Sequence, residues 1–323
     1  MNTKNEQFMS DVIAGLSLGQ KALPCKYLYD EDGSRLFEAI CETSDYYVTR
    51  ADLAVLDQHL PEMAKLIGEQ VHVIEFGSGA GVKTRHLLRA LNAPVAYTPI
   101  EISASALEAS AEALRGHFPK LAIRPLQWDY TQDIPSSVLS VGEPDQRRLV
   151  FFPGSTISNF THTEAAEFLS RIRNMIKAQG DRPDGGLLIG VDLIKAHDIL
   201  VAAYDDSEGV TRDFNLNLLH RINRELDANF AVDQFRHEAR YNTDHNRIEM
   251  HLVSQQEQQV RINGHRFEFK DGESIHTENS HKYSVEGFSK LAKESGLKVV
   301  KSWVDDQQLF STHYLECDPG FVD

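Results

Sequence analysis

The stretch VIEFGSGAGVKTRHLLRAL, residues 73–91, constrains the fold more than any other part of the chain. Its pattern is that of a buried strand, a turn rich in glycine and then a helix. Between residues 71 and 194, further strand patterns alternate with helix patterns. This alternation predicts βαβ units, and therefore an α/β fold with a parallel, doubly wound, Rossmann-like sheet.

The pattern changes after Leu193, where helical segments are followed by alternating strands over residues 235–270. Two strand patterns near the C-terminus, KVVKSWVD and FSTHYLEC, predict an antiparallel hairpin at one edge of the parallel sheet. We therefore expect two domains, each built from separate segments. Residues 51–194 and 286–321 form a nucleotide-type domain, and residues 1–50 and 195–285 form a second, α+β domain that binds the substrate.

Three successive strand ends of the parallel sheet carry groups suited to a nucleoside. Gly77 opens the glycine turn, Glu101 ends the next strand, and Asp129 and Tyr130 end the third. The acid at the second strand suits ribose hydroxyls, and an acid beside an aromatic ring suits adenine. The spacing is GxGxG rather than GxGxxG and lacks a GKS or GKT ending, so no pyrophosphate clamp is indicated. A sulfonium nucleoside fits better, although a plain tight turn with solvated acids is the alternative.

Composition narrows the class of ligand. The formal net charge of −15 disfavours a nucleic-acid partner and favours a small molecule. No apolar run is long enough to span a membrane. The three cysteines form no CxxC pair, which fits a reducing cytoplasm. The histidines show no HExxH pattern, and the odd spacing of His276 and His281 in a strand does not indicate a ligand pair, so we expect no metal.

Longer motifs carry a family resemblance. The glycine turn with its two strand-end acids resembles a class I methyltransferase. Over about residues 24–316, the chain resembles the ergothioneine-pathway histidine Nα-methyltransferases, in the segments KYLYDEDGSRLFEAI, SDYYVTRAD, FFPGSTISNFT, LVAAYDDSEGVTRDFNLNLL, RIEMHLVS and IHTENSHKYS. The resemblance implies an enzyme that converts L-histidine to its trimethylated betaine, hercynine, with S-adenosylmethionine as co-substrate.

The resemblance also implies roles for individual residues. Gly77, Lys83, Glu101, Asp129 and Tyr130 would bind S-adenosylmethionine, with Glu101 standing where the family often has aspartate. The residues implied for the substrate are Tyr46, Asn159 and Tyr204 around its amino and carboxylate groups, Met250 in the pocket wall, and Glu278 and Ser280 on the imidazole. Asn159 would orient the reacting amine, and Tyr46 or water would relay its proton.

Two other functions stay open from the residues alone. One is methylation of a different amino acid or of a thiolated histidine, because polar residues differing from the family pattern surround Ser280. The other is a ligand-binding protein that keeps the fold without the reaction. Each candidate residue also has a purely structural interpretation: Lys83 as a solvated helix residue, Met250 as core, Glu278 as a partner of Lys282, and Asn159 and Tyr204 as turn and packing residues.

Overall fold

The computed structural model describes residues 3–79, 81–132, 146–178 and 184–321. The chain splits into two compact units. The first unit contains Met1–Tyr47 and Lys195–His281, and the second contains Val48–Ile194 and Lys282–Asp323. The sequence boundaries at residues 50, 194 and 285 therefore differ from these by up to four residues. The difference arises because a long helix already begins at Tyr47 and because Lys282 pairs with a residue of the second unit.

The helices and strands are numbered along the chain. The helices of the described residues are α1 (Thr3–Leu16), α2 (Glu31–Glu42), α3 (Tyr47–Ile67), α4 (Val82–Ala90), α5 (Ala104–His117), α6 (His162–Ile176), α7 (His197–Tyr204), α8 (Val210–Leu226) and α9 (Val285–Glu294). The strands are β1 (Lys21–Ala22), β2 (His72–Phe76), β3 (Ala96–Glu101), β4 (Ala122–Ile123), β5 (Leu126–Gln127), β6 (Arg148–Phe152), β7 (Gly186–Asp192), β8 (Phe235–Asn242), β9 (Arg247–Ser254), β10 (Gln258–Ile262), β11 (His265–Phe269), β12 (Ser274–His281), β13 (Leu297–Val304) and β14 (Phe310–Cys317).

The second unit is built on an eight-stranded sheet in the order β13-β14-β7-β6-β2-β3-β4, with β5 also paired to β3. Strands β2, β3, β4, β5, β6 and β7 pair in parallel, whereas β14 is antiparallel to both of its neighbours. The predicted α/β, Rossmann-like fold with an antiparallel hairpin at one edge of the parallel sheet is confirmed. The predicted third strand is divided into β4 and β5 because Pro125 lies between them and cannot donate to the ladder.

The core of the second unit lies between this sheet and its helices. All positions of β2 and β7 are buried, as expected for strands of a parallel sheet that is covered on both faces. Helix α6 begins with the predicted capping box, in which Thr161 and Glu164 satisfy each other's backbone groups. Its apolar side packs into the same core as Phe76, Phe152 and Ile189.

The first unit contains a four-stranded sheet in the order β1-β12-β9-β8 and a separate hairpin of β10 and β11. The hairpin turns at Asn263 and Gly264, both with positive φ, as the Asn-Gly pair predicts. In β12, the register shifts between His276 and Glu278, so that Thr277 forms a β-bulge against β9. Helices α2 and α8 contact each other in this unit.

Within the described ranges, none of the helices combines the length and the apolar character needed to cross a lipid bilayer.

A fully buried ion pair lies in the second unit. Lys282 Nζ is 2.8 Å from Asp192 Oδ2, and both side chains are 0% exposed. Asp192 is the last residue of β7, and its backbone N–H donates to Ser155 Oγ at 2.8 Å. Lys282 directly precedes Tyr283, which forms an isolated bridge with Leu193 just beyond β7. The pair therefore fixes the chain that leads into α9 against the end of β7.

We predict that Lys282→Met lowers the free energy of unfolding of the second unit by about 3–5 kcal/mol, because it removes the charged partner of the buried Asp192 carboxylate. The measurement is a urea titration followed by tryptophan fluorescence, since Trp128 and Trp303 are the only tryptophans and both lie in this unit. Lys290→Met, at a side chain 79% exposed, is the control and should change little. A loss at Lys282 no larger than at Lys290 would contradict the prediction.

Candidate functional site

The glycine turn after β2 is held against the end of β3. Gly77, Gly79 and Gly81 all have positive φ, a conformation that glycine takes without a steric penalty. The Gly77 N–H donates to Ile100 O at 2.8 Å, which continues the parallel pairing one residue beyond β2. Glu101, the next residue of β3, lies beside the Gly79 backbone N–H, which favours its ionised form.

The Glu101 carboxylate has a defined orientation. Its Oε1 accepts from the backbone N–H groups of Ile102 and Ser103 at 2.8 and 3.2 Å. Burial raises the pKa of Glu101, and the backbone donors, Gly79 among them, oppose that rise. The carboxyl group is thus preorganised at the strand end, next to the glycine turn, as an acceptor for hydroxyl donors.

The end of β5 meets the same turn. A Cβ added at Gly77 would lie 4.0 Å from the ring of Tyr130, so the two residues are neighbours. The Tyr130 ring packs edge-on against Phe76 and Phe152, with centroids 5.9 Å away in each case. Asp129 Oδ1 accepts from the backbone N–H and the hydroxyl of Thr131, at 3.0 and 2.6 Å, which fixes this carboxylate in an Asx turn.

The geometry of the turn fits a nucleoside co-substrate. A Cβ added at Gly79 would meet no atom within 4 Å, so the backbone borders open space there. Glu101, an acceptor suited to ribose hydroxyls, lies beside the Gly79 backbone, and the Tyr130 ring, suited to adenine, lies beside Gly77. In the described part of the second unit, the structure therefore brings Gly77, Glu101 and Tyr130 together, as the sequence predicts.

Lys83 lies in the first turn of α4, and its ammonium group is paired. Its Nζ is 2.6 Å from Asp52 Oδ2, and the Asp52 side chain is 1% exposed. The same carboxylate oxygen accepts from the Gly154 N–H at 2.8 Å. Lys83 is thus more than a solvated helix residue, because it connects α3 and α4 to the turn that follows β6.

Asn159 follows that turn. Gly154 and Ser155 have φ of +76° and +58°, and a 3₁₀ helix, Thr156–Asn159, begins directly after them. The Ser158 N–H donates to Ser155 O at 2.8 Å, which closes the helical turn. Because β6 pairs in parallel with β2, the segment that follows β6 and carries Asn159 begins at the same carboxyl edge as Gly77 and Glu101.

Glu75 is a residue whose structural role the sequence does not reveal. This acid is 1% exposed inside β2, and its Oε2 accepts from Thr84 Oγ1 at 2.6 Å and from the Tyr97 hydroxyl. Burial raises its pKa to about 7, even though both hydrogen bonds favour the ionised form. Glu75 therefore connects β2, α4 and β3 beneath the glycine turn. In the sequence, the one sign of this role is that Glu75 is an acidic residue inside a mostly apolar strand.

Most of the residues implied for the substrate lie together in the first unit. Tyr204, at the end of α7, has its hydroxyl 2.6 Å from Ser280 Oγ in β12. Its ring lies edge-on to Tyr46, with centroids 6.0 Å apart. Burial, followed by the proximity of Tyr204, raises the pKa of Tyr46 well above its usual value. Tyr46 is consequently a neutral phenol at physiological pH. It can donate a hydrogen bond, but it cannot accept a proton as a general base.

Met250 and Glu278 complete this group in the first unit. They are paired across β9 and β12, and both are buried. Because the β-bulge at Thr277 changes the alternation of β12, Glu278 and Ser280 share one face of the sheet with Met250. Asn159 is the exception among the substrate residues, since it belongs to the second unit.

A buried polar network that sequence patterns do not predict supports this group. Thr277 Oγ1 lies 2.7 Å from Asn215 Oδ1 and 3.1 Å from Met250 O. Asn215 Nδ2 donates to His237 Nδ1 at 2.9 Å, and His237 Nε2 donates to Tyr204 O at 2.8 Å. Burial lowers the pKa of His237, consistent with this neutral tautomer. The only available signal was a polar residue at an apolar position of a helix or strand.

The raised pKa of Glu75 predicts a pH-dependent stability. Between pH 4.5 and about 7, the folded state keeps a proton that the unfolded chain has released, so the free energy of unfolding falls as pH rises. Glu75→Gln removes this contribution. We expect the wild type to lose up to about 3 kcal/mol relative to the variant across this window, at about 1.4 kcal/mol per pKa unit. The measurement is urea unfolding by tryptophan fluorescence at several pH values.

Tyr97→Phe is the matched control for Glu75. It removes a hydrogen bond that favours the ionised carboxylate, so the pH-dependent window should extend to higher pH instead of vanishing. A difference between wild type and Glu75→Gln that does not vary with pH would show that the carboxyl group keeps its usual pKa.

Comparison with known proteins gives the family. Residues 8–317 match the family described as histidine-specific, S-adenosylmethionine-dependent methyltransferases. The chain is 37% identical over 305 residues to the histidine N-alpha-methyltransferase of Mycolicibacterium smegmatis, covering 93% of this chain and 92% of that protein. It is also 37% identical over 301 residues to the enzyme of that name from Mycobacterium tuberculosis, covering 92% and 90%.

A larger fungal protein is similar as well. Ergothioneine biosynthesis protein 1 of Neurospora crassa is 28% identical over 289 residues, covering 88% of this chain and 32% of that protein. The family match extends over both structural units and includes every candidate site residue named above. The chain therefore belongs to the histidine-specific, S-adenosylmethionine-dependent methyltransferases.

Proposed function

We propose that this chain methylates the α-amino group of L-histidine, using S-adenosylmethionine, up to the trimethyl betaine hercynine of ergothioneine biosynthesis. Family membership supports this proposal. The structural observation that carries it is a group of side chains in the first unit: Tyr46, Tyr204, Met250, Glu278 and Ser280. Two aromatic hydroxyls, a carboxyl group and a serine there match the donors and acceptors of a small polar amino acid.

In this proposal, the second unit holds the co-substrate. Glu101 accepts from the ribose hydroxyls, and Asp129 and Tyr130 receive the adenine. The Gly77 turn lets the backbone approach the nucleoside. Lys83, held by Asp52, lies beside the turn that leads to Asn159. Bound S-adenosylmethionine supplies an electrophilic methyl group on a sulfonium, so the residues of the chain are left with orientation and exclusion of water.

The amino acid is recognised at both of its ends. Glu278 accepts the imidazole N–H, and Ser280, whose hydroxyl lies next to that of Tyr204, serves the other ring nitrogen. Tyr46, Tyr204 and Asn159 hold the amino and carboxylate groups. Asn159 Oδ1 orients the amine so that its lone pair is directed at the methyl carbon. The proton of the amine passes to water, because the raised pKa of Tyr46 keeps its phenol protonated.

The direct test is turnover. Purified protein incubated with S-adenosylmethionine and L-histidine should yield mono-, di- and trimethylhistidine, detected by mass spectrometry. Turnover of a different amino acid in a panel, with none of histidine, would replace the proposed substrate. Tight binding of the co-substrate with no turnover of any amino acid would leave only the ligand-binding alternative.

Specificity for the imidazole is tested at Glu278. We expect Glu278→Gln to raise the KM for histidine by about 10- to 100-fold, since it weakens a charge-assisted hydrogen bond. The affinity for S-adenosylmethionine should be unchanged. Glu268→Gln, at an exposed position of β11 in the same unit, is the control. An unchanged response to histidine would remove Glu278 from the site.

The buried network predicts a positioning effect. Thr277→Val keeps the shape of the side chain but removes its bonds to Asn215 and Met250. We expect a rise of about tenfold in the KM for histidine, the equivalent of a net hydrogen bond of about 1.4 kcal/mol, with unchanged co-substrate affinity. Thr243→Val, exposed in the turn between β8 and β9, is the control. Equal kinetics for the two variants would show that the network has no positioning role.

A further inference from the structure

We propose that Glu249, His251 and His276 form a binding site for a divalent transition metal, of the zinc class, on the four-stranded sheet of the first unit. One ligand atom from each of the three side chains can be chosen so that all three lie within 4.8 Å of one another. The inference does not depend on the proposed methyl transfer, because the site uses none of the residues assigned to it.

The strand register places these side chains on one face. Glu249 and His251 alternate with Met250 along β9, so they face away from it. On β12, His276 pairs with His251, and Asn279 pairs with Glu249. Both partners therefore lie on the face opposite to Met250, an arrangement that the bulge at Thr277 makes possible. Along its own strand His276 has only His281 as a possible partner, whereas Glu249 and His251 lie on the neighbouring strand.

The distances suit a three-residue ligand set. His251 Nε2 is 3.3 Å from Glu249 Oε2, close to the separation of two ligands of one metal ion. The rings of His251 and His276 are stacked, with centroids 5.0 Å apart and an angle of 20° between their planes. Zinc–nitrogen bonds are about 2.0–2.1 Å long, so binding requires the His276 ring to turn out of this stack until its nitrogen points at a common centre.

Each ligand also has an outer partner of the kind found around metal sites. His251 Nδ1 lies 3.1 Å from Ser274 Oγ, and His276 Nε2 donates to the Glu278 carbonyl at 3.0 Å. The second nitrogen of each ring would bind the metal, and His251 Nε2, which donates to Glu249 Oε2, would lose that proton on coordination. Glu249 is held through its other oxygen, Oε1, by Arg247 at 2.6 Å and by Asn242 at 3.0 Å. Its Oε2 is thus directed towards the two histidines.

A neighbouring oxygen is available as a fourth ligand. Asn279 Oδ1 is buried, and the Asn279 side chain interacts with His276. Asn279 lies directly across from Glu249. Coordination of a metal would take the place of that interaction with His276. Two imidazoles, a carboxylate and an amide oxygen favour zinc, cobalt or nickel over magnesium or calcium.

The charges around the cluster set its affinity. Arg247 is paired with Glu249 Oε1 at 2.6 Å, and Arg240 lies near His251. The two arginines repel a cation, so we expect an affinity weaker than that of a structural zinc finger.

The test uses the full-length, untagged protein after treatment with a chelator. Titration with Co²⁺ should produce a saturable d–d absorption band at one metal per chain, and Zn²⁺ should abolish the band by competition. His251→Ala and His276→Ala should each weaken Co²⁺ binding by more than the roughly 10- to 100-fold expected for loss of an outer partner. Ser274→Ala should fall within that smaller range.

Exposed histidines provide matched controls. His245→Ala, in the turn between β8 and β9, and His265→Ala, at the start of β11, should bind Co²⁺ as the wild type does. Circular dichroism establishes that each variant is folded. Ser274→Ala keeps all three ligands, so it tests the site even if a histidine variant fails to fold. The absence of a band in the wild type, or equal binding by His251→Ala, His276→Ala and the control variants, would overturn the proposal.

Discussion

Parallel pairing of β2 with β3 and β6, and of β3 with β5, is the constraint on which the second unit depends. In a parallel sheet, all strands present their carboxyl ends at one edge, so residues far apart in sequence become neighbours there. The Gly77 turn, Glu101 and Tyr130 meet in this way. None of the three is informative alone, because glycine turns, strand-end acids and tyrosines are common. Their meeting at one edge gives a nucleoside-binding interpretation its physical basis.

The same edge is stabilised from inside the sheet. Glu75, in β2 just before the glycine turn, is hydrogen-bonded to residues of α4 and β3. Asp192, at the end of β7, is paired with Lys282. Both carboxyl groups are buried, so each depends on its partners, and loss of a partner leaves an unfavourable buried polar group. These two buried carboxyl groups thus hold the loops at the carboxyl edge in place, beside the residues proposed to bind the co-substrate.

In the first unit, one inserted residue has a comparable effect. Without the bulge at Thr277, Glu278 would lie on the same face as His276, and the alternation of β12 would be uniform. With it, Glu278 and Ser280 face the side of Met250, while His276 and Asn279 face the side of Glu249 and His251. The sheet consequently presents two distinct polar groups on opposite faces, one assigned to the amino acid and the other to a metal.

Much of this could be predicted from the sequence, and the limits have physical causes. Periodicity identified the alternating strands and helices, and the Asn263–Gly264 turn followed from its two residues, because these signals are local. The partners of Lys83, Glu75 and Lys282 could not be predicted, since an ion pair or a buried hydrogen bond depends on residues distant in sequence. The bulge at Thr277 could not be predicted either, because it depends on the register between β9 and β12. The pairing of His251 with His276 depends on the same register. The roles of Tyr46, Asn159 and Glu278 came from family resemblance rather than from any local pattern.

The most direct test of the central claim is a crystal structure of the protein with S-adenosylhomocysteine and L-histidine bound. The account predicts that both ribose hydroxyls donate to the Glu101 carboxylate, and that the imidazole is held by Glu278 and Ser280. A nucleoside bound away from Glu101 and the Gly77 turn, or an imidazole that contacts neither Glu278 nor Ser280, would contradict it.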